Sequence, residues 1–300
     1  MKNVLVIHYS QSGQLSEIAT NIAKPLLENP DVDVSFHTIE PIKPYPFPWN
    51  KDTFFDVFPE SFLQIPTDLK PVPEEILNKK YDLILFSYQV WYLTPSIPAN
   101  SFLKSTDAKQ LLENTPVVTI IACRNMWALA QEKVKKSLKA NSADLKGNLA
   151  FIDRAGNLIS VITIVDWMFS GIKKKYLGIF PLPGVSQKDI DEADKFGKII
   201  SESLNQNNLE NLQQKFVKND GIYVSPYLVN VDKKGNFIFS KWSKFIKSRK
   251  NTRSSWLKVF YVYLFLAIWV ISPIVYILHV ITYPFTFRKR KNAIKYYQSV

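Results

Sequence analysis

Over the first two-thirds of the chain, short apolar runs with few charges alternate with amphipathic stretches. Residues 3–9 (Asn-Val-Leu-Val-Ile-His-Tyr) read as a buried strand. After a polar loop, Leu15, Ile18, Ala19, Ile22, Ala23 and Leu26 recur at helical spacing. Further strands are predicted at residues 33–39, 81–88, 116–122 and 149–152, with helices near 126–139 and 187–204. Strands this continuously apolar must be covered on both faces. That requirement predicts an α/β fold with a parallel sheet between two helix layers.

Three segments exceed a minimal unit of this kind. Residues 41–75 contain eight prolines and seven aromatics, among them Tyr45, Phe47, Trp49, Phe54 and Phe58. A loop of this length is usually functional or disordered, and its aromatic content argues against disorder. It reads either as an apolar lid over a ligand or as an insertion packed on the sheet. Residues 153–185 form a second excursion with an apolar run at 158–169. Residues 205–240 begin polar and then predict a β-hairpin, with strands at 222–231 and 236–239 turning at Lys233-Lys234-Gly235.

The chemistry begins at Ser10-Gln11-Ser12-Gly13-Gln14-Leu15-Ser16, between the first strand and the first helix. Such a loop aims several backbone N–H groups at one point, where the helix dipole favours an anion. Ser10 and Ser12 add hydroxyls, and Gly13 permits close approach. The plainer reading is a Ser/Gly turn that caps a helix. The loop lacks both the Walker ending and Gly-x-Gly-x-x-Gly, which disfavours ATP and dinucleotides here.

This loop resembles the flavodoxin phosphate loop, Ser/Thr-x-Ser/Thr-Gly-x-Thr. Ser10, Ser12 and Gly13 match; Leu15 stands where the last Thr is usual, and Ser16 follows one residue late. The resemblance extends over residues 1–204. It implies a five-stranded sheet of order 2-1-3-4-5 and bound FMN, with Ser10, Gln11, Ser12, Gly13, Gln14 and Leu15 around the phosphate. Two further loops are implied to hold the isoalloxazine ring. After the third strand come Gln89, Val90, Trp91 and Tyr92, whose aromatics are candidates to stack on the flavin. After the fourth come Cys123, Arg124, Asn125 and Met126. There Arg124 is the candidate to face the N1/O2 edge, where reduced flavin gathers negative charge, unless it serves as a surface ion pair.

Four runs are similar, as a set, to the dialkylresorcinol-condensing enzymes of aryl-lipid and flexirubin-type pathways: residues 55–61, 91–98, 123–127 and 153–157. That resemblance implies oxidation of a dialkyl cyclohexanedione to a resorcinol, with a ketosynthase as partner. Asp153 and Arg154, after the fifth strand, are the candidates for base or carbonyl-orienting group, or else a loop ion pair. His8 reads as a hydrogen-bonded core residue. Three histidines and one cysteine form no metal-ligand spacing. Two alternatives stay open: an NAD(P)H-dependent quinone reductase of the same fold, and a non-catalytic flavodoxin-like electron carrier or membrane scaffold.

The formal net charge of +12 points toward nucleic acid until it is located. Residues 241–300 hold twelve Lys or Arg and no acid, which leaves 26 basic and 26 acidic residues in the remainder. The basic groups flank an almost uncharged stretch at 256–287, a pattern of attachment to anionic lipid rather than of a nucleic-acid surface. Residues 205–255 are expected to link the flavodoxin-like domain to this membrane segment, and residues 288–300 to form a basic tail. Pro273 divides the apolar stretch into 259–271 and 274–285, each too short to cross a bilayer alone. A re-entrant or interfacial hairpin keeps both basic flanks on one side; a single span does not. With one cysteine and no N-terminal signal pattern, the expected location is the cytoplasmic face of the cell membrane.

Overall fold

The computed structural model describes all residues, Met1–Val300. Five parallel strands form its centre: β1 (Lys2–His8), β2 (Val32–Thr38), β3 (Leu83–Trp91), β4 (Pro116–Cys123) and β5 (Asp144–Ile152). Their order is β2-β1-β3-β4-β5, the doubly wound flavodoxin-like order. β5 starts five residues before the expected 149, because Asp144, Leu145, Gly147 and Asn148 still pair with β4, with an irregularity at Lys146.

Alternation along β1 builds the two faces. Leu5 and Ile7 enter one core with the helices Ile97–Leu103, Thr106–Leu112 and Ala128–Ala140. Val4 and Val6 enter the other with the helices Gln14–Leu27, Asp194–Asn205 and Leu212–Lys218. The helix expected at 187–204 is split into Gln187–Asp191 and Asp194–Asn205.

The segment 41–75 packs as an insertion. Its short helices Lys51–Asp56 and Phe58–Phe62 supply Phe55, Phe58 and Phe62 to a third core, completed by Leu93 and by Phe239, Ile246, Leu257 and Phe260 from the C-terminal helices. Phe58 stacks on Phe260 with centroids 3.9 Å apart and planes 9° apart.

Two expectations for the C-terminal third are corrected. The hairpin at 222–239 does not form; residues Pro226–Ser248 are one helix. Ser225 caps it through the Leu228 N–H, and Pro226 occupies the first turn, where a missing N–H costs nothing. Gly235 is not a turn residue. It lies where a Cβ would come within 2.8 Å of Leu93 Cδ1, so glycine there permits close packing. The apolar stretch also does not break at Pro273. One helix runs Arg253–Ile281. Residues Ala267–Ile271 widen into a π turn just before the proline, which absorbs the backbone bond the proline cannot make. The chain turns at Thr282 instead, and a last helix, Tyr283–Tyr297, follows.

Candidate functional site

The loop after β1 and the loops after β3 and β4 meet at the C-terminal edge of the sheet, the ligand-binding edge of open α/β folds. Gly13 adopts φ 87°, a left-handed conformation that starts the helix Gln14–Leu27, and an added Cβ there meets nothing within 4 Å. The first helical amide bond is Glu17 N–H to Gly13 C=O, so the amides of residues 12–16 keep their donors free. The Ser10 hydroxyl is buried without a partner. Free amides, an orphaned hydroxyl and open space at a helix start suit a phosphate group.

The Gln89 side chain accepts the Gln11 N–H at 3.4 Å, while its own Nε2 is buried and unpaired. Asn125 donates to Asn157 Oδ1 at 3.0 Å and leaves its own Oδ1 buried and unpaired. Buried polar atoms normally have partners. Gln89, near the end of β3, lines the cavity at this sheet edge, so its free Nε2 fits a ligand with a polar edge, as a flavin ring has; Asn125 does not line it. Trp91 lies among Tyr9, Tyr45 and Trp49, each edge-on to it at 5.1–6.0 Å. Tyr92 turns the chain at φ 46° and donates its hydroxyl to the Phe54 carbonyl at 2.6 Å, which ties this loop to the insertion.

Arg124 donates through Nη1 to the Asn157 carbonyl and to Asn157 Oδ1, both at 2.9 Å, and pairs with no carboxylate. Burial pulls its pKa down to about 10, yet it stays a cation at neutral pH. Burial pushes the Cys123 thiol well up, so it remains protonated. His8 is held neutral, its pKa lowered by burial and then by His37.

The start of the first helix, the end of β3 and Arg124 border a cavity of 980 Å³ in which 25 of 34 lining residues are hydrophobic. That volume is at the top of the range for small-molecule sites and leaves room for a second molecule beside a cofactor. Gln11, Ser12, Gln14, Leu15, Gln89, Val90, Trp91, Tyr92, Cys123 and Arg124 line it. Ser10, Gly13, Asn125 and Met126 do not line it; Asn125 and Met126 instead border a small separate pocket with Asp232, and Met126 packs against the third core. Gln14 has its amide engaged: Oε1 accepts the Val185 N–H and Nε2 donates to the Val185 carbonyl. It therefore clamps the 184–185 loop to the anion loop.

Asp153 and Arg154 do not reach the cavity. Asp153 is 3% exposed; its Oδ1 accepts Ala155 N–H, and its Oδ2 accepts the Ser160 hydroxyl and Gly184 N–H. It anchors the helix Asn157–Ser170 to β5. Arg154 pairs with Asp189 at 3.1 Å on the surface. The only carboxylate on the cavity wall is Asp166, with Lys51 and Arg124 the only cations. The Asp166 carboxylate forms no ion pair and no hydrogen bond within the chain. The sequence signal was present: it is the single charge in the run 158–169.

The far wall comes from the long C-terminal helix, through Tyr261, Leu264, Phe265, Ile268 and Trp269. Lys51 lies 3.6 Å from the Tyr261 ring centroid, joining insertion and helix by a cation–π contact. Below the β3 loop, Lys133 donates to the Leu93 carbonyl and to Asn236, and burial lowers its pKa to about 8.

No family model and no curated protein matches the chain. Solved structures are similar at the level of the fold. A flavoprotein in complex with FMN from Lactobacillus acidophilus is 18% identical, with 50% of this chain and 93% of that chain covered at a TM-score of 0.39. A flavodoxin from the domain Archaea is 13% identical, with 68% and 99% covered at 0.39. RosB with a bound 8-demethyl-8-formylriboflavin-5'-phosphate is 11% identical, with 80% and 88% covered at 0.40. At this distance no residue role transfers, and the flavodoxin-like assignment rests on the strand order of the chain itself.

Proposed function

We propose that the chain is a membrane-attached, FMN-dependent oxidoreductase that aromatises a dialkyl cyclohexanedione to a dialkylresorcinol. One observation carries this reading: the free-amide loop at residues 12–16 and the carboxylate-free Arg124 border the same large apolar cavity. Residues 10–16 would hold the phosphate, and the β3 and β4 loops the ring. FMN bound there supplies a two-electron acceptor for hydride.

The chain's own groups do the rest. Aromatisation removes one proton and one hydride from adjacent carbons, and the C–H between or beside the carbonyls is the acidic one. Asp166 takes that proton, as the only carboxylate on the wall. Arg124 sets positive charge against oxygen as negative charge develops there. The apolar wall built by the insertion and the two apolar helices takes the alkyl chains and excludes water. A bare electron carrier has no use for such a chamber. The same reading places the protein on the cytoplasmic face of the cell membrane, where a ketosynthase delivers its substrate.

The test is the visible spectrum of protein purified in detergent. The expected result is a bound flavin that bleaches anaerobically when a dialkyl cyclohexanedione is added without NAD(P)H. Protein that neither retains nor takes up FMN overturns the reading. Bleaching only by NAD(P)H makes it a quinone reductase instead.

A further inference from the structure

The helix Arg253–Ile281 is 29 residues long, about 43 Å at 1.5 Å per residue, enough to cross a hydrocarbon core of about 30 Å. Its contacts describe another arrangement. At its start, Arg253 pairs with Asp56 and Glu60 of the insertion at 2.7 and 2.6 Å, and Phe260 is buried against Phe58. Toward its end, Ser272 Oγ meets the Tyr227 hydroxyl at 2.9 Å, and Tyr276 and His279 lie edge-on to the Tyr227 ring at 5.1 and 5.4 Å. Beyond the turn at Thr282 the chain comes back: Tyr296 donates to Glu132, Tyr297 is buried in a sheet core, and Gln213 donates to the Gln298 carbonyl. A helix whose two ends are both fastened to one globular body cannot place those ends on opposite sides of a bilayer.

The other side of the helix has no partner. Val262, Leu266, Val270, Ile277 and Ile281 are 48–63% exposed. The segment beyond the helix Asn157–Ser170 carries a second apolar group, with Leu177 72% and Ile179 80% exposed. Between the two lies the mouth of the cavity, because Val165, Tyr261 and Phe265 both line it and are exposed. Lys173, Lys174 and Lys175 precede Leu177 in the chain, Lys258 lies on the long helix, and Arg288, Lys289 and Lys291 follow it; all but Lys173 are exposed. No acid occurs between residues 167 and 188 or between 241 and 300. Apolar patches of this extent mark an interaction surface. The single-sign flanks select the occupant: a second copy would bring like charges together, whereas anionic lipid complements them.

We infer that the helix Arg253–Ile281 lies in the plane of one leaflet of an anionic bilayer, and that the cavity mouth beside it opens into the acyl region, so that a lipidic substrate passes from membrane to site without crossing water. The docking geometry stands on the contacts above alone; the use of the mouth by substrate rests on the proposed function. The apolar face sinks to the headgroup–acyl boundary, roughly 5–10 Å deep, as interfacial helices do.

The experiment places a bimane label on Cys introduced singly at Val259, Leu266 and Leu278, which are 47%, 48% and 54% exposed. The full chain is reconstituted into vesicles of phosphatidylcholine with 30% phosphatidylglycerol, with lipids brominated at different depths as quenchers. In-plane docking is expected to give all three sites one shallow depth, with binding about tenfold weaker on pure phosphatidylcholine. Leu266→Glu with Val270→Glu is expected to release the protein from vesicles while a bound flavin spectrum persists, since neither side chain lines the cavity. A deep Leu266 between shallow Val259 and Leu278 means a spanning helix and overturns the inference. Unquenched labels on a dimer mean that a second copy covers the face, and overturn it equally. None of these readings needs flavin or turnover. A shallow, uniform depth in a protein without FMN therefore sinks the enzymatic reading and leaves the docking intact; the converse result does the reverse.

Discussion

The five-stranded sheet and the long C-terminal helix are made from the same side chains and treat them in opposite ways. In the sheet, Val4, Leu5, Val6 and Ile7 are wholly buried between two helix layers of their own chain. In the helix, Leu257 and Phe260 are buried and most of the remaining apolar surface is open. Apolar composition therefore measures how much surface must leave water, not what will cover it. For the sheet the cover is supplied by the fold. For the helix only one side is supplied, and the apolar cavity lies at the seam between the two regions.

The seam itself should respond most strongly. Asp166→Asn is expected to lower turnover of a cyclohexanedione about 10²–10⁴-fold, the usual share of a general base, while FMN retention and vesicle binding are unchanged. Stopped-flow bleaching measures the step; a variant within threefold of the parent would remove Asp166 from the chemistry.

Within the sheet, Leu85→Ala removes a wholly buried side chain of β3. The expected cost is about 2–5 kcal/mol in denaturant titration of the detergent-solubilised protein. The anion loop gives the next effect. Gly13→Asp introduces a β-carbon at positive φ and a carboxylate where the phosphate would sit; FMN affinity is expected to fall at least ~100-fold, or about 2.7 kcal/mol. Flavin retained by that variant would mean that the phosphate lies elsewhere.

Asp232 tests the junction between the regions. It lies on the helix Pro226–Ser248 and accepts the Leu129 N–H and a bond from Asn236. Burial is the largest influence and raises its pKa to about 6. A carboxyl group whose folded pKa exceeds its unfolded one binds its proton more tightly in the native state. Its contribution to stability is therefore present below about pH 4 and is lost as pH rises toward 6. Asp232→Asn is expected to flatten that part of the stability–pH curve, by up to about 3 kcal/mol. The smallest effect belongs to the open face: Leu278→Ala should change stability in detergent by less than about 0.5 kcal/mol. A large loss there would show that protein, not solvent or lipid, covers the face.

The residues that line the cavity from the first loop and from the end of β3 are legible in the sequence, because their signals are local. A Ser/Gly loop between strand and helix exposes the same amides in any context, and the aromatic loop after β3 lies where a parallel sheet ends. Asp153 was misleading for the opposite reason. Its position beside the ligand edge is local, but its bonds to Ser160 and Gly184 are not, and they use both oxygens. Asp166 is not distinguishable in the sequence as a cavity residue, because only the fold turns the apolar run that contains it into a cavity wall. Gly235 suggested a turn, and only Leu93, far away in sequence, explains it as a contact.

By itself the sequence determined the parallel sheet, the Ser/Gly loop that opens the first helix and the confinement of the excess positive charge to the last sixty residues. Each follows from periodicity, composition or the chemistry of adjacent residues. Tertiary structure decided that residues 226–248 are helical, that the helix passes through Pro273, and that its two ends return to one body. Those outcomes depend on contacts between distant segments. Arg253 with Asp56, and Tyr227 with Ser272, are pairings that no local pattern encodes.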